Sequence, residues 1–209
     1  MQQTQTTTFH NPISPDADPF VVLYNGTYYL TGTSTAASIE IQHSTRLEKV
    51  GDTTATVWDP APDEPQYLVW SPSMFLLDYR GKSFWFIYFT ASADNTNEGH
   101  RIYVLQSNGT DPLGPYTFKG QLGGTDQSAA IDPSLLHLNG KIYMMYVQES
   151  GGNAVYIAPM SDPLTLSEQP QLLISPDQAW ERGGSDGHSH YPVAEGPEAL
   201  YHNGKTFIV

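Results

Sequence analysis

Short runs of apolar, β-branched and aromatic residues recur along the chain, each broken by a polar turn. Val21-Val22-Leu23-Tyr24 and Thr27-Tyr28-Tyr29-Leu30 flank Asn25-Gly26; Phe84-Trp85-Phe86-Ile87-Tyr88 follows Arg80-Gly81, Ile142-Tyr143-Met144-Met145-Tyr146 follows Asn139-Gly140, and Thr206-Phe207-Ile208-Val209 follows Asn203-Gly204. Runs of this length and composition around Asn-Gly or Arg-Gly predict β-hairpins. No window sustains the 3.6-residue period of an amphipathic helix. The turn glycines Gly26, Gly81, Gly140 and Gly204 are 55, 59 and 64 residues apart, so the hairpin belongs to a repeating unit. A second hairpin follows each of the first three, in IEIQHSTRLEKV (39–50), RIYVLQSNGTDPLGPYTFKG (101–120) and AVYIAPMSDPLTLSEQPQLL (154–173). Each is expected to hold a strand, a polar turn and a return strand. Four strands per unit predict propeller blades, with the surplus length in surface loops at 93–99 and 178–190.

Each unit opens with the same frame, and three of the four frames carry an acid. Asp18 precedes Pro19, Asp132 precedes Pro133, and Glu195 stands two residues before Pro197; the remaining unit reads Trp70-Ser71-Pro72-Ser73 and has none. The first strands of propeller blades line the central axis, so side chains at one end of them converge on one rim. A proline ring disfavours the helical region for its predecessor, which predicts an extended backbone at Asp18 and Asp132. A single Asp-Pro is an ordinary turn opener, as Asp111-Pro112 and Asp162-Pro163 are read here. Three acids in frame point instead to a carboxylate cluster.

Composition narrows what such a cluster can serve. With 22 acidic and 9 basic residues the formal charge is −13, which repels polyphosphate and anionic lipid; nucleic acid and membrane partners are not expected, whereas a neutral substrate such as a carbohydrate meets no such repulsion. The 39% apolar and 12% aromatic content can build a core. Without cysteine there is no thiol nucleophile, disulfide or thiolate metal site. The N-terminal MQQTQTTTF lacks the features of a secretory signal. Asn25-Gly26-Thr27 and Asn108-Gly109-Thr110 match the glycosylation pattern but are read as turns.

The stretches NPISPDADPFVVLYNGTYYLTGTS, VWSPSMF, GHRIYVLQS, AIDPSLLHLNGKIYMMYV and AEGPEALYHNGKTFIV resemble glycoside hydrolase family 43 in order and across almost the whole chain. The resemblance implies an all-β, five-bladed β-propeller and an arabinofuranosidase, xylosidase or arabinanase acting on arabinan, arabinoxylan or their oligosaccharides. It implies that Asp18 is the general base, Glu195 the general acid and Asp132 the carboxylate that tunes and orients its partner. Inversion needs one carboxylate to activate water and a protonated one to serve the leaving oxygen. A retaining mechanism would need the two closer together. The resemblance also favours secretion. No cofactor is required; a calcium ion on the axis is compatible with the family, but no ligands for it can be assigned.

Further residues are drawn in by the same frame. Phe20 and Trp70 are expected to offer rings to a sugar face, and His100-Arg101 resembles a stretch of arabinan-acting members. The second frame departs from the family's commoner Trp-Ala-Pro-Glu: Ser71 and Ser73 replace the alanine and glutamate. His188 and His190 lie in a Gly-, Ser- and Asp-rich loop and are read as loop residues. Five units of about 60 residues would need about 300, so the chain is expected to supply three blades and half of a fourth, a single catalytic domain over 1–209 incomplete at its C-terminus. The alternative is a propeller that binds carbohydrate without cleaving it.

Overall fold

The computed structural model describes residues 10–34, 37–125, 128–149, 152–182 and 191–209. Its strands form four antiparallel sheets in chain order. The first blade holds β1 (Ala17–Tyr24), β2 (Thr27–Thr33), β3 (Ile39–Ser44) and β4 (Thr54–Trp58), side by side in that order. The second repeats the pattern with β5 (Tyr67–Tyr79), β6 (Lys82–Ser92), β7 (His100–Ser107) and β8 (Tyr116–Gln121). In the third, β9 (Ala130–Leu138), β10 (Lys141–Glu149) and β11 (Asn153–Asp162) are followed by β12 (Thr165–Leu166) and β13 (Gln171–Ile174), both paired to β11. The fourth is a hairpin of β14 (Ala199–His202) and β15 (Lys205–Ile208). This is three and a half blades.

The first hairpin of every blade turns through two residues of positive φ: Asn25 and Gly26 (48° and 77°), Arg80 and Gly81 (53° and 78°), Asn139 and Gly140 (52° and 74°), Asn203 and Gly204 (49° and 70°). That pair of left-handed residues makes the tight turn whose twist matches its flanking strands, which is why Asn-Gly recurs there. The return strand of the first unit differs from the sequence expectation. Leu47–Asp52 winds into a 3-10 turn, with Val50 buried and Arg46 bonded to Glu48, and the strand forms only at Thr54–Trp58. Charged Glu48 and Lys49 leave a single apolar anchor there, too few for a half-buried strand. In the third unit the expected return strand is split between β12 and β13.

The core lies between blades. Along β6 successive side chains point to opposite faces. Phe86 and Tyr88 enter a cluster with Leu135, Met144 and Tyr146 of the third blade, whereas Trp85, Ile87 and Phe89 enter one with Ile39, Ile41 and Trp58 of the first. Both faces of β6 are therefore covered, and it is buried from Trp85 to Ser92. The seam between blades three and four is smaller, built on Leu136, Met145, Val147 and Val155 against Ala199 and Ile208. The first strands of neighbouring blades, β1 with β5, β5 with β9 and β9 with β14, touch one another, which sets them around a common axis.

Candidate active site

The chemistry sits on one backbone device repeated at the start of each blade. In β1 the register slips between Ala17 and Phe20, paired with Thr33 and Thr31; in β5 between Trp70 and Ser73, paired with Thr90 and Tyr88; in β9 between Ile131 and Ser134, paired with Val147 and Met145. Each slip is a bulge that places an extra residue opposite the neighbouring strand. The residue before proline takes a left-handed φ in all four frames: Asp18 (50°), Ser71 (47°), Asp132 (55°) and Gly196 (60°). The extended backbone expected at Asp18 and Asp132 is thus overturned. A bulge needs a residue out of the ladder, aspartate is among the side chains that tolerate this region, and the proline has no N–H for the ladder to lose. Glu195 does not share the aspartates' position; it is one residue earlier, in the place held by Ala17, Trp70 and Ile131, while Gly196 occupies the left-handed place.

The bulges are stitched together across the blades. Thr33 Oγ1 donates to Asp18 Oδ2 at 2.6 Å and accepts from the Ser71 N–H at 2.7 Å. Ser71 Oγ donates to Asp132 Oδ1 at 2.7 Å, and the Gly196 N–H donates to Asp132 Oδ2 at 3.1 Å. The Asn153 side-chain amide donates to Glu195 Oε1, and the Asn153 backbone pins the segment before it by bonds with Pro192 and Ala194. One chain of hydrogen bonds therefore runs from Asp18 to Asp132 and on to the backbone that carries Glu195. Behind it, Thr31 Oγ1 donates to the Pro72 carbonyl and Ser73 Oγ to the Pro133 carbonyl at 2.6 Å, so each bulge also grips the next from below.

Asp18 and Glu195 are exposed and Asp132 between them is half-buried. Burial raises the Asp132 pKa from its ordinary value; the bonds from Ser71 and Gly196 oppose that rise, and the Glu195 and Asp18 charges add to it. The three acids thus share one electrostatic site. A cavity of about 190 Å³ opens behind them, lined by the four frames in register: Asp18-Pro19-Phe20, Ser71-Pro72-Ser73, Asp132-Pro133-Ser134 and Gly196-Pro197-Glu198. Glu198, at the register position of Phe20, Ser73 and Ser134, is held by burial at a pKa of about 7. Nothing in its sequence context marked it out; only the frame alignment could have found it.

A second cavity, about 400 Å³, lies beside the first and is reached from Glu195. Trp70 and His100 form part of its wall with Asn97, Glu98 and Asn153, their rings 4.3 Å apart. His100 is buried, bonded to the Leu68 backbone, and burial lowers its pKa, so it faces the cavity as a neutral imidazole. Phe20 is placed apart from this pair: its ring packs on Phe75 at 5.0 Å in the axial cavity. Arg101 lines neither cavity; its guanidinium donates to the carbonyls of Glu98 and His100. His188 and His190 lie outside the described residues. Among the described residues no group of three or more His, Asp or Glu is placed to hold a metal ion, so no ligands are assigned to the axial calcium compatible with the family.

The chain is 31% identical over 211 residues to the extracellular exo-α-(1→5)-L-arabinofuranosidase of Streptomyces avermitilis, an alignment covering 96% of this chain and 42% of that protein. Over 202 residues it is 29% identical to α-L-arabinofuranosidase 43 of Humicola insolens, covering 92% of this chain and 40% of the relative. Its fold superimposes on the crystal structure of an α-L-arabinofuranosidase from Lactobacillus brevis with a TM-score of 0.82 at 28% identity, covering 96% of this chain and 64% of that one. The chain therefore spans about two fifths of these two curated relatives and about two thirds of the solved chain. The family model described as Glycosyl hydrolases family 43 matches residues 9–209, and the chain belongs to that family.

Proposed function

We propose that the chain carries the acid and base of an inverting glycoside hydrolase that removes α-L-arabinofuranosyl units from arabinan, arabinoxylan or their oligosaccharides. The observation that supports this reading is the hydrogen-bonded chain that ties Asp18 to Asp132 and Asp132 to the backbone beside Glu195. Asp18 is the base: Thr33 fixes one carboxylate oxygen and leaves the other to take a proton from water. Glu195 is the acid: Asn153 holds Oε1, and Oε2 delivers the proton to the leaving oxygen. Asp132 supplies negative charge between them and, through the Gly196 N–H, fixes the backbone beside Glu195. The cavity that Glu195 borders, walled by Trp70 and His100, receives the leaving part of the substrate, with the Trp70 ring against a sugar face.

The choice of arabinofuranoside over xyloside is supported by the arabinofuranosidases among the relatives. Two relatives are named as extracellular, which supports secretion for this protein. Among the described residues no helix is long and apolar enough to cross a membrane.

The test is release of nitrophenol from the α-L-arabinofuranoside and the β-D-xyloside by this chain, with Glu195→Ala alongside and circular dichroism as the folding control. The variant is expected to lose about 10²–10⁴-fold on an arabino-oligosaccharide and less on the nitrophenyl glycoside, whose leaving group needs little protonation. NMR of the first-formed anomer reads inversion directly. A folded Glu195→Ala variant as active as its parent on the oligosaccharide would remove Glu195 from the reaction.

A further inference from the structure

Of the four frames, the second has no acid, yet it is the one to which Asp18 and Asp132 on either side are tied. Ser71 makes two donations in opposite directions around the rim: its backbone N–H to Thr33 Oγ1, the hydroxyl that holds Asp18, and its own hydroxyl to Asp132. Its left-handed φ of 47° makes this possible, because the bulge turns the Ser71 N–H out of the β5–β6 ladder toward the first blade while the side chain reaches the third. An alanine at this position would keep the first bond and lose the second. We infer that Ser71 is a positioning residue of this site, clamping the Asp132 carboxylate and coupling it through Thr33 to Asp18. The inference rests on the hydrolase reading for its kinetic arm and on the hydrogen bonds alone for its spectroscopic arm.

The groups around Asp132 fix the sign of the effect. Asp18 faces it from β1, and Glu195 from the segment before β14, both acidic; Glu198 of that same segment lines the same cavity as Asp132; β5 offers Ser71 and Ser73, and β2 the neutral Thr33. Burial and like charge push Asp132 toward its neutral form, while Ser71 and the Gly196 N–H favour the carboxylate. Removing the Ser71 hydroxyl leaves one donor of two. Asp132 then protonates at higher pH, and activity that needs its charge is lost earlier on acidification.

Two variants separate the hydroxyl from the backbone. Ser71→Ala and Ser71→Gly both delete the donor, but glycine adopts positive φ without steric cost and alanine does not. The ¹³C-carboxyl titration of Asp132, assigned with Asp132→Asn, is expected to move to higher pH in both variants of this chain. The acidic limb of kcat is expected to move the same way, lowering kcat at the foot of the limb about tenfold while KM stays within about twofold. An Asp132 titration unchanged in both variants would overturn the inference. So would a shift in Ser71→Ala alone, which would trace the effect to backbone strain. If the titration moves in both variants but no glycoside is cleaved even by the parent chain, the Ser71 clamp stands and the hydrolase reading falls.

Discussion

The second blade and the half-blade at β14–β15 are built from the same hairpin and used in opposite ways. In the second, β6 is buried on both faces and joins two interblade clusters, but its bulge carries no acid. In the other, Leu200, Tyr201 and Phe207 are 50%, 50% and 44% exposed, one face alone meets a small cluster, and Glu195 and Glu198 flank Gly196-Pro197. Deep burial and carboxylates are thus divided unequally between these two regions. Glu195 is positioned less by packing than by polar contacts with the third blade: Asn153 on its carboxylate, Asp132 on the Gly196 N–H, and Tyr201, whose hydroxyl accepts from the His137 N–H at 2.6 Å.

The sharpest way to break this contrast is to truncate one ring in each region. Phe86 is fully buried between blades two and three, and Phe86→Ala is expected to cost about 3–5 kcal/mol, through lost transfer energy and the cavity left behind. Phe207→Ala, on the exposed face of the half-blade, is expected to change stability by less than about 0.5 kcal/mol. Urea titrations of both variants read the difference. Equal costs would mean that the half-blade is as much a part of the cooperative unit as β6.

A smaller effect sharpens the comparison on the chemical side. Asn153→Ala keeps the backbone bonds to Pro192 and Ala194 and removes only the donor to Glu195. Because that donor orients the acid, kcat on an arabino-oligosaccharide is expected to fall about tenfold, with a change in Tm below about 2 °C. A large drop in Tm with kcat unchanged would show Asn153 to be a strut of the blade and no part of the site.

How much of this was legible beforehand depends on which interaction carried it. The four hairpin turns were written in Asn-Gly and Arg-Gly, since left-handed turn geometry is a local demand on residue type. Acids in a repeated frame were visible for the same reason. The left-handed φ at Asp18 and Asp132 was not, because the local bias of a residue before proline points to extended backbone and the bulge register overrides it. Thr33, Ser71 and Asn153 were silent as site residues: Thr33 acts on an acid of the neighbouring strand 15 residues away, Ser71 and Asn153 on acids of another blade 61 and 42 residues away, and a common polar residue does not announce so distant a partner. Return strands were legible where aromatic alternation marked them, as at Tyr116–Gln121, and misplaced at Leu47–Asp52, where Leu47 and Val50 do not alternate and only the valine is buried.

Glu198 gives the finest test of the contrast, because it places a cost of burial inside the weakly packed half-blade. Its carboxyl, raised by burial from 4.5 to about 7, is favoured in the neutral form by the fold. A raised carboxyl pKa means that the unfolded chain releases the proton first; stability is therefore fullest below the ordinary glutamate range and declines as pH rises toward 7, levelling off above it. Glu198→Gln keeps the shape and removes the ionisation. At pH 4 the variant and parent are expected to melt together, and at pH 8 the variant is expected to melt higher by about 3 °C at most, partial solvent exposure trimming the gain. A difference of the same size at both pH values would assign the effect to packing. A variant less stable at pH 8 would mean that the Glu198 carboxylate is stabilised in the fold by a favourable partner, so that the axial cavity is more polar than its burial implies.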